Sequence, residues 1–445
     1  MPLLRRLIYV PLLMLALPLS TQAGAEPPAL LQLLYSGNLD GELEPCGCTL
    51  DTDFGGIQRQ TTMIDNLREK NPELLLLNSG GLFGPDMGHD QIKHRFILSG
   101  ITEQQFDAFG VQWADLQHGE QMLKESGLPF VAGNWKDDQL AKGQTLMRGD
   151  TRIFFSHWLE PENSPFVGMQ AQSPITEDPK PVQQALDQAK QRGLLTVLST
   201  SLPLEKAQQL FQLDSVDILL IKSAYEQFAE PQQLGNTLVL QPGSRGQRFA
   251  LLNLELGAEK RILNWSQQVF DLPVDIANAE RLNQWYEDYN ETLRQDYLER
   301  VKKRKALKSG DSPYGGQQLC QACHQPQHEI WSQSQHAQAF TDLEEVGKAF
   351  DGHCVGCHVV GYEQEGGFLD QELTPNLSGV QCENCHGPAK EHALSAGKTA
   401  TPNKGLPKEQ ICSGCHVKEH SPSFKPELYW PKIAHPGLPP LPPTQ

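Results

Sequence analysis

Hydrophobic and polar positions divide this chain into two unlike parts. Between residues 29 and 270, short runs of Leu, Ile, Val and Phe alternate with stretches whose apolar positions recur at helical spacing. The runs predict buried strands at Leu30–Tyr35, Leu74–Leu77, Phe130–Ala132, Ile153–Phe155, Leu194–Leu198, Ile218–Ile221, Leu238–Leu240 and Leu251–Leu256. The periodic stretches predict helices over 57–70, 102–109, 119–126, 181–192 and 204–213. Such alternation makes an α/β domain whose sheets are covered by helices. Residues 275–307 read as one long polar helix, with Leu282, Trp285, Tyr289, Leu293, Tyr297 and Val301 near helical spacing. The run Lys302–Lys305 ends it as a solvated cationic terminus, where positive charge favours the helix dipole. From 314 to 430 the pattern dissolves into Gln, His, Gly, Glu and Lys with few apolar runs. Side chains alone would bury little apolar area there.

Length and composition sharpen this division. A chain of 445 residues, 38% hydrophobic and with a mean hydropathy of −0.45, is expected to hold two or more soluble domains. Its net charge of −17 argues against nucleic acid or an anionic membrane as partner, and a protein partner would present a basic patch. Residues 1–25 fit a secretory signal peptide, with Arg5 and Arg6 before the apolar stretch Leu7–Leu19 and small residues at Ala23–Ala25. No later run reaches the length of a membrane span, so the mature chain is expected in a Gram-negative periplasm. The expected divisions are a signal peptide to 25, an α/β domain over 26–272, a helical linker over 273–313, a second domain over 314–430 and a Pro-rich tail over 431–445.

The chemistry of the polar half lies in a pattern written four times. Cys320/Cys323/His324, Cys354/Cys357/His358, Cys382/Cys385/His386 and Cys412/Cys415/His416 all read Cys-x-x-Cys-His, the attachment signature of c-type haem. Two thiols three residues apart lie on one side of a helical turn and can form thioethers to the two porphyrin vinyls. The His that follows supplies the proximal iron ligand. Paired cysteines also bind zinc, but zinc has no need of His directly after every second Cys. Four covalent haems would supply the missing apolar core, leaving a mainly α, loop-rich segment whose apo form does not fold. Six further His lie outside the motifs: His328, His336, His353, His392, His420 and His435.

Here the sequence resembles known families. Trp331-Ser-Gln-Ser-Gln-His336-Ala and Cys382-Glu-Asn-Cys385-His386-Gly-Pro-Ala-Lys-Glu-His392 resemble segments of the tetrahaem cytochrome c-554 family. The resemblance implies that His336 and His392 are distal iron ligands, generally to haems other than the nearest in sequence. His353, directly before Cys354, and His420, four residues past His416, are secondary candidates by position. The resemblance also implies that one haem can lack a distal His. In the first half, the order of motifs resembles the periplasmic 5'-nucleotidase branch of the calcineurin-like metallophosphatases. Leu33-Leu-Tyr-Ser-Gly-Asn38-Leu-Asp40-Gly41, Leu75-Leu-Leu-Asn78-Ser-Gly80-Gly81 and Pro129-Phe-Val-Ala-Gly-Asn134 carry that likeness. It implies an α/β sandwich. Asn38, Asp40, Gly81, Glu120, Gln121, Thr200, Ser223 and Tyr225 stand where the family's metal and catalytic residues fall, and none is His. Such donors cannot hold two divalent ions, so a catalytically degenerate scaffold is expected.

Two cysteines remain, Cys46 and Cys48, in Glu44-Pro-Cys-Gly-Cys48 on the loop after the first strand. A Cys-x-Cys pair can be an inert staple, a strained redox disulfide or a soft-metal site. The inert staple is the simpler reading; similar loops in relatives of this domain that carry selenocysteine raise the redox reading beside it. The sequence thus predicts an electron carrier in the periplasm. The alternative is an oxidoreductase acting on a small nitrogen or sulfur compound through an open haem or this dithiol.

Overall fold

The strand Ala29–Ser36 runs through the centre of the first of two facing sheets, and the direction of its side chains explains the layers. Leu33 and Tyr35 point inward to meet the second sheet, while Leu34 points outward to meet helices. Both faces are covered, which is why the strand reads as a continuous apolar run and does not alternate. The computed structural model describes residues 29–46, 53–84, 90–166, 173–222, 228–307, 311–417, 421 and 423–436.

The first sheet has the order Ile262–Asp271, Arg248–Leu256, Ala29–Ser36, Leu75–Asn78, Ala108–Phe109. The second runs Gln232–Leu234, Thr237–Leu240, Ile218–Ile221, Leu195–Thr200, Thr151–Trp158, Gln144–Arg148. In the first sheet Ala29–Ser36, Leu75–Asn78 and Ala108–Phe109 pair in parallel, and Arg248–Leu256 and Ile262–Asp271 join antiparallel; in the second the central pairs are parallel and the outer two antiparallel. Between the sheets lie Leu31, Leu33, Tyr35, Leu75, Leu77, Phe155, Val197, Leu220 and Leu252. Helix Ile57–Lys70 sets Ile57 and Ile64 on the outer face of the first sheet. Helix Lys180–Gln191 sets Val182, Leu186 and Ala189 on the outer face of the second. The result is the expected α/β sandwich.

Three details differ from the sequence pattern. Residues 102–109 do not form a helix; one spans Asp90–Thr102 and ends before Gln105, whose φ of 52° lies in the left-handed region. Ala108–Phe109 is a short strand parallel to Leu75–Asn78, held by Asp107, which accepts from the Leu76 amide at 2.8 Å. Its apolar residues match a helical period only by accident of spacing. Phe130–Ala132 makes isolated bridges, Phe130 to Phe109 and Val131 to Ala141, in place of a continuous strand. The antiparallel strands Gln144–Arg148, Gln232–Leu234 and Ile262–Asp271 carry too few buried apolar residues to stand out in the sequence.

Helix Asn283–Leu307, entered through a 3₁₀ turn at Glu280–Leu282, does more than connect. Leu282, Tyr289, Leu293, Tyr297 and Val301 are buried in the same cluster as the outer face of the first sheet, together with Phe350 from beyond the helix. Trp285 lies where a Cβ at Gly100 would meet it at 2.5 Å, so only glycine lets the two helices approach there. In the basic end, Arg304 donates to the carbonyls of Phe368 and Leu369 and lies over the Tyr362 ring.

Beyond residue 311 the chain is helical and loop-rich, with helices no longer than Gln335–Glu345. One buried apolar cluster unites Phe340, Leu343, Val355, Val359, Val360, Phe368 and Leu377. From Cys382 onward, Ala389 is the only buried hydrophobic among the described residues, while Leu394, Leu406 and Leu428 are exposed. No described helix is long and apolar enough to cross a membrane.

Candidate functional site

Each Cys-x-x-Cys-His stretch takes a turn of helix, as the chemistry of its spacing requires. In the first, Cys320 lies on helix Gln317–Gln321, and the amides of Cys323 and His324 donate to the Cys320 carbonyl at 3.2 and 2.9 Å. The second is helix Gly352–His358, capped by Asp351, whose side chain accepts from the His353 amide. The third is helix Cys382–His386, with a capping box between Gln381 and Asn384. In the fourth, helix Lys408–Cys412 leads into Cys415 and His416, whose amides donate to the Cys412 carbonyl.

Glu383 ties the third motif to the first. Its buried carboxylate accepts from the amides of Gly315 at 3.0 Å, Gly316 at 2.8 Å and Ala389 at 2.7 Å. Gly316 precedes the helix carrying Cys320 with φ 75°, and a Cβ there would strike the Asn376 carbonyl at 2.5 Å. The thiols agree with this arrangement. Cys320 shares a hydrogen bond with Cys382, and Cys357 shares one with Cys415, each contact raising one thiol and lowering the other. Cys385 and Cys412 feel one another electrostatically. The motifs therefore neighbour each other in the order second, fourth, third, first.

The imidazoles are paired across long stretches of sequence. His324 and His392 have ring centres 6.1 Å apart, His336 and His416 6.1 Å, and His386 and His435 5.9 Å. A metal bonded at about 2 Å to one nitrogen of each ring holds two ring centres roughly 6 Å apart. Hydrogen bonds fix which nitrogen is offered. His392 donates from Nδ1 to the Thr399 carbonyl at 2.6 Å, and His358 from Nδ1 to the Ala339 carbonyl at 2.5 Å, which leaves Nε2 as the lone-pair donor of each. His416 stacks on Phe424 with centres 4.1 Å apart and meets Ser421 Oγ through Nδ1 at 3.1 Å. These features fit haem: imidazole rings paired at the separation a bridging iron would set, motif cysteines on turns of helix, and a segment otherwise short of buried apolar surface.

Other candidates are placed differently. His353 directs Nε2 to Asp90 of the α/β domain at 2.6 Å, and His328 bonds Gln317. Among the described residues no imidazole faces His358 at the spacing of the other pairs. His420 and Cys48 lie outside the described residues, as do Ser223 and Tyr225; the backbone of Cys46 pairs with Phe54 in a two-residue ribbon. His435 was not singled out from the sequence. Its only signal was that it is a His beyond the last motif, and the pairing with His386 exists only in the fold.

The metals of a phosphatase do not fit the other half. Asn38 exchanges hydrogen bonds with Gln112 and donates to Asp40 at 3.1 Å. Asp40 also accepts from the Arg245 amide at 3.2 Å, and burial raises its carboxyl above the ordinary range against these bonds. Gly81 has φ +79°, and a Cβ there would lie 2.5 Å from Asn38 Nδ2, so the amide fills the space of a side chain at position 81. Thr200 is buried at a strand end, Glu120 opens the helix Glu120–Glu125, and Gln121 bonds Glu125 at the surface. Among the described residues at these positions, the carboxylates of Asp40 and Glu120 beside amides and one hydroxyl, with no imidazole, are not a two-metal donor set.

With this geometry in view, comparisons assign the two halves to different relatives. Residues 319–387 match the family described as cytochrome c554 and c-prime. The chain is 33% identical over 148 residues to cytochrome c-554 of Nitrosomonas europaea, across 26% of this chain and 63% of that protein. It thus spans less than two thirds of that relative's length. The first half has the fold of a 5'-nucleotidase precursor from Thermus thermophilus, with TM-score 0.51, 15% identity, and 60% of this chain matched to 59% of that one. Sulfate thiohydrolase SoxB, also of Thermus thermophilus, is similar at TM-score 0.50 and 14% identity, with 60% and 61% covered. The C-terminal part is thus similar to cytochrome c-554, and the α/β domain before it has a fold like that of the 5'-nucleotidase precursor.

Proposed function

We propose that this chain is a periplasmic electron-transfer protein with four covalent haems, attached at Cys320/Cys323, Cys354/Cys357, Cys382/Cys385 and Cys412/Cys415. His324, His358, His386 and His416 are the proximal iron ligands. His392, His435 and His336 complete the irons of His324, His386 and His416, and no described imidazole completes that of His358. The observation that carries this reading is the three imidazole pairs at 5.9–6.1 Å, each joining a motif His to a His outside the motifs.

Haem supplies one-electron redox chemistry at iron; the chain supplies position and environment. Contacts between motif thiols order the four sites as a relay from Cys354/Cys357 to Cys412/Cys415, then Cys382/Cys385, then Cys320/Cys323. Carbonyls of Ala339 and Thr399 orient their imidazoles, and Glu383 locks the two motifs at the far end together. Redox partner proteins then meet the relay at its ends.

A second reading is favoured by the lack, among the described residues, of an imidazole facing His358: that iron reacts with a small nitrogen or sulfur compound. EPR of the oxidised holoprotein, after mass spectrometry for four added macrocycles, tests both. Three low-spin signals and one high-spin signal are expected, and His435→Ala should convert one low-spin signal to high-spin. Missing macrocycles, or an unchanged spectrum in His435→Ala, would overturn the assignment. Binding of carbon monoxide, nitric oxide or nitrite by the high-spin iron would favour the enzyme.

A further inference from the structure

Every polar contact described across the junction of the two halves falls on residues 348–369, the neighbourhood of the second motif. From the α/β domain, Glu44 pairs with Lys348 at 2.5 Å and Asp90 with His353 at 2.6 Å. From the long helix, Asn290 accepts from Lys348 at 2.7 Å, Tyr297 donates to the Leu369 carbonyl at 2.9 Å, and Arg300 reaches Glu363. Tyr286 donates to the same Glu44 carboxylate. Lys348 is held between Glu44 and the faces of Tyr286 and Tyr289. Burial by itself would lower its pKa, yet Glu44 raises it above the ordinary lysine value.

These charges surround one attachment site. His353 directly precedes Cys354, Asp351 caps its helix, and Cys354 lies in the field of Asp351, Glu44, Lys348 and Lys93. The side chains of Glu44, Asp90 and Lys348 are 23%, 5% and 12% exposed, so the water that screens surface charges is largely excluded. A buried carboxylate near a haem stabilises the oxidised, more positive iron, and a buried ammonium the reduced one.

We propose that the α/β domain sets the reduction potential of the iron at Cys354/Cys357/His358 through the carboxylates of Glu44 and Asp90, with Lys348 opposing them. The proposal rests on the haem assignment above. The step concerned is the addition of one electron to that iron(III), delivered from the neighbouring haem at Cys412/Cys415, with no bond made or broken. The former phosphatase scaffold then has a present use: a fixed electrostatic wall against one end of the relay.

The test is potentiometric titration of the full-length holoprotein followed by visible absorption and EPR. Glu44→Gln and Asp90→Asn should each raise one of the four midpoint potentials, that of the high-spin component, and leave the other three unmoved. A tenfold change in the oxidised-to-reduced ratio at fixed potential is expected for Glu44→Gln, about 59 mV for a one-electron couple. Lys348→Gln should lower the same potential, and the double variant Glu44→Gln/Lys348→Gln should return towards wild type. Loose packing would move all of these variants the same way, so opposite signs identify charge. Four unmoved potentials in variants that keep their haem content and circular dichroism would overturn the proposal. So would a shift of the same sign in Glu44→Gln and Lys348→Gln. Loss of haem in the wild-type chain would sink the haem assignment instead, and mass spectrometry reports that separately.

Discussion

The sandwich and the Cys-x-x-Cys-His segment reach a defined geometry by different means. Between the sheets, Phe155, Leu220 and Leu33 are wholly buried against one another, and each such side chain contributes about 1.5–3 kcal/mol of transfer free energy. Beyond Cys382 the described residues bury almost no apolar side chain, yet Glu383 accepts three backbone amides and the imidazoles stand in pairs. A polar segment this sparse can hold its course only around something else that is apolar. The contrast separates a part whose stability is written in its own side chains from a part whose stability belongs to a bound group.

The largest effect should follow from withholding that group. Expressed without a haem-ligation system, the chain should lose helical circular dichroism from 314–436 and become protease-sensitive there, while the sandwich still unfolds cooperatively. Equal protease resistance of both halves would break the comparison. Next, Phe155→Ala should cost about 3–5 kcal/mol in urea unfolding of the sandwich and leave haem absorption unchanged. A change in the haem spectrum would show the halves to be less independent than their cores suggest.

A third effect is pH-dependent. His157 is fully buried, and burial holds its pKa down to about 3 from the ordinary 6.5, against a weaker contact from the Val111 backbone. The unfolded chain takes up this proton more readily, so the stabilisation is complete above about 6.5 and is lost as pH falls from there towards 3. The sandwich should lose about 1.4 kcal/mol per pH unit in that window from this group. The slope should shrink in His157→Gln, as checked by urea midpoints at several pH values. The smallest effect is Tyr297→Phe, which removes the hydrogen bond to Leu369 at a cost of about 1 kcal/mol. It should widen the separation between the unfolding transitions of the two halves.

Much of this was legible in the sequence where side-chain period decides the outcome. Leu33-Leu-Tyr35 and Leu75-Leu-Leu77 announce strands buried on both faces, and Ile57–Lys70 was readable from its apolar spacing. The outer strand Ile262–Asp271 was not, because one face meets solvent and its remaining apolar residues pack only in part. The four motifs were plain because covalent chemistry fixes their spacing. The partners His392, His435 and His336 lie at no fixed spacing from the His they face. Resemblance supplied two of them as distal candidates, but only the fold pairs each with its opposite ring. His353 was a further candidate in sequence, yet a carboxylate from the other domain occupies its Nε2.

The imidazole pairs impose a timetable on synthesis. A chain emerging N-terminus first, from a ribosome or a translocation pore alike, presents His324 long before His392, and His336 long before His416. Each early ring waits on a late one, so closure comes in a burst near the end of the segment and loops must be shut over long distances before any contact rewards them. Shortening the last stretch before His435 would strand a nearly finished assembly with one ring still unanswered.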